Sequence, residues 1–312
     1  MLTVTLLGTA ATFPQPDRAL SSAVLSLCGR HILLDCGEGT QLALHRQHIS
    51  PMKITLIALT HYHGDHLLGL PGLLQTMDTM NRSAPLFITG PVEGHETILA
   101  AVLTLADELA YPVHFLPMPP EGLSLHELDA KWPIEARLTA FPTVHRIPSQ
   151  GYRLTLSRTR RLYADKAIAI GIPRAFWRQL QSGQSITANG RVIHPDSVCG
   201  PERKGLTAVF TGDTAPCEAV EQAAQQADLL MMDATYADEK YADKASLYGH
   251  STFLQTAALA ARAQVKRLWL THYSAMITDP EAKLPEVQAI LPAAECGVDG
   301  KQILLTFREG EM

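Results

Sequence analysis

The sequence predicts an α/β fold, and three observations carry that prediction. Apolar runs of strand length alternate with stretches of helix length along most of the chain. Polar residues of metal-ligand type stand at the ends of several apolar runs: Asp35, His61, His63, His145, Asp213, Asp233 and His272. Strand-then-helix alternation brings such ends to one edge of a sheet layer, where residues distant in sequence can share a site. Finally, 46% hydrophobic against 18% charged residues in a chain of 312 is an ordinary globular balance, enough for a full core.

Leu2 to Thr9 alternates and closes on glycine, a strand leaving into a loop. Pro14 to Arg18 is turn-rich. Ala23 to Leu27 and His31 to Asp35 form a hairpin, and a helix follows near Gln41 to Gln47. Ile54 to Leu59 is a buried strand that runs into Thr60-His61-Tyr62-His63-Gly64-Asp65-His66, and Leu67 to Leu74 opens a helix. Leu86 to Thr89 is a strand. Gly90-Pro91 breaks the chain before a helix over Glu93 to Leu109. Val113 to Leu116, Ile134 to Phe141 and Gly151 to Leu156 are strands, with His145 after the second. Gly190-Arg191 turns between two short strands. Leu206 to Phe210 ends in Thr211-Gly212-Asp213-Thr214, and Leu229 to Met232 ends in Asp233-Ala234-Thr235. A loop is expected over Tyr236 to Tyr248, then Gly249-His250-Ser251-Thr252. Ser251 or Thr252 caps a helix over Phe253 to Ala263. Leu268 to Thr271 is a strand ending at His272, Pro280 to Leu291 a helix, and Ile303 to Phe307 a last strand.

The chemistry concentrates in His61 to His66, which holds three imidazoles and one carboxylate. His61 and His63 are two apart, so an extended segment points them the same way. Asp65 and His66 follow a glycine that can turn the chain toward a second centre nearby. Imidazole nitrogen and carboxylate oxygen suit zinc and similar divalent ions. Only 13 histidines occur in the whole chain, so this density marks a metal loop rather than a chance polar turn. Asp35 reads either as a hydrogen-bonding anchor for that loop or as a simple acid at a helix start.

Net charge is −5, which excludes a generally basic nucleic-acid binder and confines any polyanion site to a local patch. One such patch exists. Residues 153–178 carry Arg153, Arg158, Arg160, Arg161, Lys166, Arg174 and Arg178 against the single acid Asp165, with Tyr163, Phe176 and Trp177 interleaved. Bases among aromatics suit a sugar-phosphate backbone; a solvated insertion with its own small anchor fits equally. The five cysteines are scattered without a CxxC, which fits a reducing cytosol. No basic-then-apolar leader precedes Leu2, and no run approaches the ~18 apolar residues of a membrane span, so a cytoplasmic protein is expected.

His61-Tyr62-His63-Gly64-Asp65-His66 matches the HxHxDH signature of the metallo-β-lactamase fold, and the order Asp35, HxHxDH, His145, Asp213, His272 matches that superfamily's motif order. Within it the chain resembles RNase Z, the endonuclease that trims tRNA precursors on the 3′ side. Leu6-Leu7-Gly8-Thr9, Leu34 to Gln41, Gly64 to His66 with Gly69 to Leu74, Gly151-Tyr152-Arg153, Gly212-Asp213-Thr214, Gly249-His250-Ser251-Thr252 and Thr271-His272-Tyr273-Ser274 carry the resemblance over nearly the whole length.

The resemblance implies an αββα sandwich, one domain over residues 1–312, with 153–195 as a protruding basic arm that grips tRNA. It implies two zinc ions per subunit: His61, His63 and His145 on the first, Asp65, His66 and His272 on the second, Asp213 bridging. Asp65 then accepts the proton of a water activated between the ions, His250 donates to the departing 3′ oxygen, and Asp233 holds His250 in its donating tautomer. Arg18, Ser274, Arg174 and Arg178 are the implied substrate contacts, precursor tRNA the partner, and a homodimer the assembly. There are departures. The family's Pro-x-Lys-x-Arg-Asn loop is Pro14-Gln15-Pro16-Asp17-Arg18-Ala19 here. Its His-Glu-Ala-Thr is Met232-Asp233-Ala234-Thr235. Met77 and Met276 stand near two expected arginines, and the arm's Gly-Pro signature is reduced to Gly171-Ile172-Pro173-Arg174. The alternatives are a related hydrolase acting on another RNA or a small phosphodiester, and a metal-stabilised binding protein without catalysis.

Overall fold

A computed structural model describes residues 1–188 and 190–307. Its strands run in chain order as β1 (Leu2–Gly8), β2 (Ser22–Leu27), β3 (Arg30–Leu34), β4 (Ile54–Ala58), β5 (Leu86–Thr89), β6 (Val113–Phe115), β7 (Leu123–Ser124) and β8 (Ala136–Pro142). They continue as β9 (Gln150–Arg158), β10 (Ile186–Ala188), β11 (Arg191–Ile193), β12 (Arg203–Phe210), β13 (Leu229–Asp233), β14 (Leu268–Thr271), β15 (Ala294–Cys296) and β16 (Gln302–Leu305). One seven-stranded sheet has the order β16-β1-β2-β3-β4-β5-β6, the other β15-β14-β13-β12-β9-β8-β7.

Burial explains the layering. All five residues of β4 and all five of β13 are buried, so neither face of either strand meets water. On the outer face of the first sheet, Val24, Leu33, Ile57 and Ile88 pack against Leu73, Leu74 and Val102 of the helices Leu70–Thr79 and His95–Ala106. On the outer face of the second, Val209, Leu230 and Leu268 pack against Phe253, Ala257 and Ala260 of the helix Phe253–Arg262. The inner faces cover one another, which gives the expected αββα sandwich. Two bonds tie the sheets together beside the metal loop. The Tyr152 hydroxyl donates to the Leu59 carbonyl at 2.7 Å, and the Gln150 amide to the Thr60 carbonyl at 2.9 Å.

β3, β4, β5 and β6 pair in parallel, as do β12, β13, β14 and β15. Thr60-His61, Thr211 to Asp213, Asp233 and His272 therefore all lie at C-terminal strand ends. The predicted hairpin of β2 and β3 is antiparallel, with Ala23 opposite Leu34. Thr252 caps the helix Phe253–Arg262 in a capping box with Gln255, which chooses between the two cap candidates.

Three expectations change. The loop predicted over Tyr236 to Tyr248 holds a 3₁₀ turn, Glu239–Tyr241, and a helix, Ala242–Tyr248. Its only buried position is Ala245, so no apolar stripe announces it. The helix predicted over Pro280 to Leu291 is a 3₁₀ turn, Pro280–Lys283, followed by Leu284–Ile290. The last strand ends at Leu305.

The chain divides into two compact units, one of Met1–Thr155 with Thr207–Leu305, the other centred on Leu156–Leu206. The second has its own small core of Ala167, Ile172, Leu180, Ile186 and Val198, and β10 pairs antiparallel with β11 as the Gly190-Arg191 turn predicts. Within it Arg174 lies over the Trp177 ring at 5.5 Å, and Lys166 over the Tyr163 ring at 5.0 Å. Among the described residues no helix is long and apolar enough to cross a membrane, and all five cysteines are free.

Candidate metal centre

Asp35 anchors the histidine loop. Its carboxylate is fully buried and accepts the Thr60 amide at 2.7 Å, the Thr60 hydroxyl at 2.9 Å and His66 Nδ1 at 2.7 Å. The loop-anchor reading of Asp35 is thus the one the geometry takes. With Nδ1 donating, His66 turns Nε2 inward, 3.2 Å from Asp213 Oδ1 and 3.3 Å from His272 Nε2. Opposite, His61 Nε2 lies 3.0 Å from His63 Nδ1, and His63 Nδ1 lies 3.1 Å from His145 Nε2. His145 donates Nδ1–H to the Gly249 carbonyl at 2.9 Å, which leaves its Nε2 as a lone pair facing the cluster.

Asp213 stands between the two groups. Oδ1 faces His66 and His272, the latter at 3.0 Å, and Oδ2 faces His61 at 3.7 Å and His145 at 3.8 Å. Three groups of ligand-type atoms come together: His61, His63, His145 and Asp213; Asp65, His66 and His272; and Asp213, Asp233, His250 and His272, the last sharing Asp213 with the first and His272 with the second. Asp65 Oδ2 lies 3.6 Å from His272 Nε2 and accepts the Thr12 amide at 2.6 Å. Thr12 has a left-handed φ of 58°. Asp35 and His272 share that conformation, at 55° and 63°, so strained backbone surrounds the cluster. Gly212 has φ +61°, and a Cβ on it would meet Thr60 Oγ1 at 2.5 Å, so only glycine lets β12 deliver Asp213 against the histidine loop.

The donors fit divalent cations on two counts. Asp213 Oδ1 is buried without a hydrogen-bond partner, a cost that a cation would relieve. Burial pushes the imidazoles of His61, His63 and His145 down, so they stay neutral with lone pairs to give. His66 behaves oppositely. Burial opposes its charge, but Asp213 and Asp35 outweigh burial and hold it well above the ordinary histidine range. Burial alone would raise the Asp65 carboxyl; the His272 hydrogen bond and the charges of His66 and His272 keep it well below the usual range.

Next to the cluster, Asp233 is buried and accepts from the Thr214 amide at 3.1 Å, the Thr235 amide at 2.9 Å, the Thr235 hydroxyl at 2.8 Å and His250 Nδ1 at 2.7 Å. Burial disfavours charge on His250, yet Asp233 wins and lifts its pKa to about 9. His250 follows Gly249, which closes the helix Ala242–Tyr248 with φ +70° and whose Cβ position lies 2.6 Å from His145 Cα. The cluster opens into a cleft of about 860 Å³, lined by His63, Asp65, His145, Asp213 and His250 together with Phe13, Glu38, Arg146, Lys244 and Tyr248.

The structure therefore brings together His61, His63, Asp65, His66, His145, Asp213 and His272, with Asp233 and His250 beside them. It treats the expected substrate contacts differently. Arg18 is buried, donates Nη2–H to the Ile277 carbonyl at 2.6 Å and lies over the Tyr273 ring. Ser274 borders a smaller hollow with Thr235 and Ile277, its hydroxyl accepting the Met276 amide at 3.3 Å. Arg174 and Arg178 belong to the second unit. Sequence reading assigned no role to Thr12, the Gly249 carbonyl or Arg146. The first two act through backbone atoms, which carry no residue-type signal; Arg146 had one, its place directly after His145.

A family model described as Anti-Pycsar protein Apyc1 matches residues 2–168, and one described as a beta-lactamase superfamily domain matches residues 192–273. Ribonuclease Z of Lachnoclostridium phytofermentans is 37% identical, with 100% of both chains covered. Ribonuclease Z of Agathobacter rectalis is 37% identical over 99% of this chain and 100% of its own. The crystal structure of human tRNase Z, short form, superposes with a TM-score of 0.66 at 28% identity, covering 98% of this chain and 100% of that one. The chain belongs to the ribonuclease Z family, metal-dependent hydrolases of the metallo-β-lactamase fold.

Proposed function

We propose that the protein is a zinc-dependent endoribonuclease that removes 3′ trailers from tRNA precursors in the cytoplasm, leaving a 3′ hydroxyl on the tRNA. The observation that carries this reading is Asp213, with one oxygen toward each imidazole group and Oδ2 4.0 Å from Nδ1 of a His250 that Asp233 holds at 2.7 Å. His61, His63 and His145 would hold one zinc ion, and Asp65, His66 and His272 the other, with Asp213 shared. When bound, the ions supply Lewis-acid charge for the phosphate oxygens and acidify the attacking water.

The chain's own groups do the rest. Asp65, oriented by the Thr12 amide, accepts a proton from the attacking water. His250, fixed through Nδ1, gives the proton on Nε2 to the leaving 3′ oxygen, and Asp233 offsets its charge before transfer. Asp35 and the Gly249 carbonyl hold His66 and His145 in the tautomers that face inward. Residues 153–195 serve as a tRNA-gripping arm, and in a homodimer the arm of one subunit serves the site of the other. Metal analysis together with cleavage of a precursor tRNA tests the reading. Zinc near two per subunit and a cut just after the discriminator base support it. Intact precursor alongside hydrolysis of a small ester refutes it.

A second reading, a related hydrolase acting on another RNA or a small phosphodiester, draws on the inward-facing Arg18 and on the Apyc1 model over residues 2–168. Turnover of bis(p-nitrophenyl) phosphate or a cyclic nucleotide, with precursor tRNA left intact, favours it.

A further inference from the structure

We propose that Arg146 and Tyr248 form a nucleotide subsite on the rim of the metal centre, gripping a nucleotide adjacent to the phosphate that is cut. The inference deepens the phosphodiesterase reading above and rests on it. Arg146 and Lys244 are the lysine or arginine side chains that line the cleft among the described residues. Arg146 also borders a second hollow of about 450 Å³, shared with His145, Glu93 and Ser149. It therefore stands on the ridge between two openings that meet at a metal-ligating histidine. A strand of nucleic acid that runs from one opening to the other with its cut phosphate at the cluster would pass beside Arg146.

The pair is tied to the chemistry at both ends. Arg146 follows His145 directly, and Tyr248 lies two residues before His250. The guanidinium sits over the Tyr248 ring, 5.3 Å from its centroid. Both side chains are exposed, with 38% of Tyr248 open. Among the described residues no carboxylate pairs with Arg146, so its charge is available to an anion. A guanidinium within a residue of the centre suits a flanking phosphate as an ionic partner, and an open tyrosine ring suits a base face.

The test uses the metal-loaded full chain and its Arg146→Ala, Tyr248→Ala and Tyr248→Phe variants, compared on precursor tRNA and on bis(p-nitrophenyl) phosphate. Both alanine variants are expected to lower the ratio of kcat/KM for tRNA over that for the small diester by about tenfold or more, chiefly through KM. Tyr248→Phe keeps the ring and is expected to hold the ratio within about twofold of wild type, as stacking requires. Ratios equal to wild type in both alanine variants, or an equal loss on both substrates, overturn the proposal. If the wild-type chain hydrolyses the small diester but leaves precursor tRNA intact, the tRNA reading has failed by itself. The subsite is then decided by the same ratio taken with thymidine 5′-(p-nitrophenyl phosphate) in place of tRNA.

Discussion

His250 Nδ1 donates to Asp233 Oδ2 across 2.7 Å, and Asp233 makes no weaker use of its other oxygen, which takes the amide and hydroxyl of Thr235. An acid held this way works only while protonated. With its pKa near 9, kcat on precursor tRNA is expected to hold below that pH and fall above it. His250→Ala should cost about 10²–10⁴-fold in kcat and abolish the alkaline limb, with metal content retained. Asp233→Asn should move the limb to lower pH. A limb that stays in place in Asp233→Asn refutes the pairing's role.

Asp35 touches no substrate, yet it sets the tautomer of His66 and the position of Thr60. Asp35→Ala is expected to weaken metal binding about 10–100-fold, the usual cost of losing such support. Competition with a chromogenic chelator measures it, and unchanged affinity removes Asp35 from the account.

His66 lies between Asp35 and Asp213, which outweigh burial and raise its pKa, in the space where a cation is expected. A cation there competes with the His66 proton, so metal binding is expected to be linked to proton release. Titration of the metal-free chain near neutral pH should release protons, visible as calorimetric heats that vary with the buffer's ionisation enthalpy. Saturating metal should also stabilise the fold, by about 4 kcal/mol at a thousand times the dissociation constant. Chelation that leaves Tm unchanged contradicts this.

His31 offers a pH test away from the centre. Burial first, then the Lys53 charge, lower its pKa from 6.5 to about 4, while Ser26 Oγ lies 2.8 Å from Nδ1. The unfolded chain takes up this proton as pH falls through about 6.5, and the folded chain only near 4. Stability contributed by neutral His31 is therefore present above pH 6.5 and lost between 6.5 and 4. His31→Gln should reduce the destabilisation between pH 7 and 4 by about 2 kcal/mol after allowance for solvent screening. Parallel denaturation midpoints for the two proteins would refute it.

The candidate ligands were legible because metal binding demands particular side chains, and His61, His63, His145, Asp213 and His272 each follow an apolar run that sequence alone marks as a strand. Asp35 was legible as a residue but ambiguous as a role, since cap and anchor use the same carboxylate. The helix Ala242–Tyr248 escaped because it buries only Ala245, although its closing Gly249 was in plain view. β15 escaped because three residues show no periodicity. Arg18 was expected to contact substrate, and only packing against Tyr273 and Ile277 reveals that it points inward. Thr12 was beyond reach, because its contribution is an amide aimed by a left-handed backbone.

Gly249 terminates one helix, orients His145 through its carbonyl and immediately precedes His250. Under the proposed mechanism, attack and departure both depend on the placement of that one residue. A substitution that nudges the chain there is then expected to disturb both halves of the reaction at once.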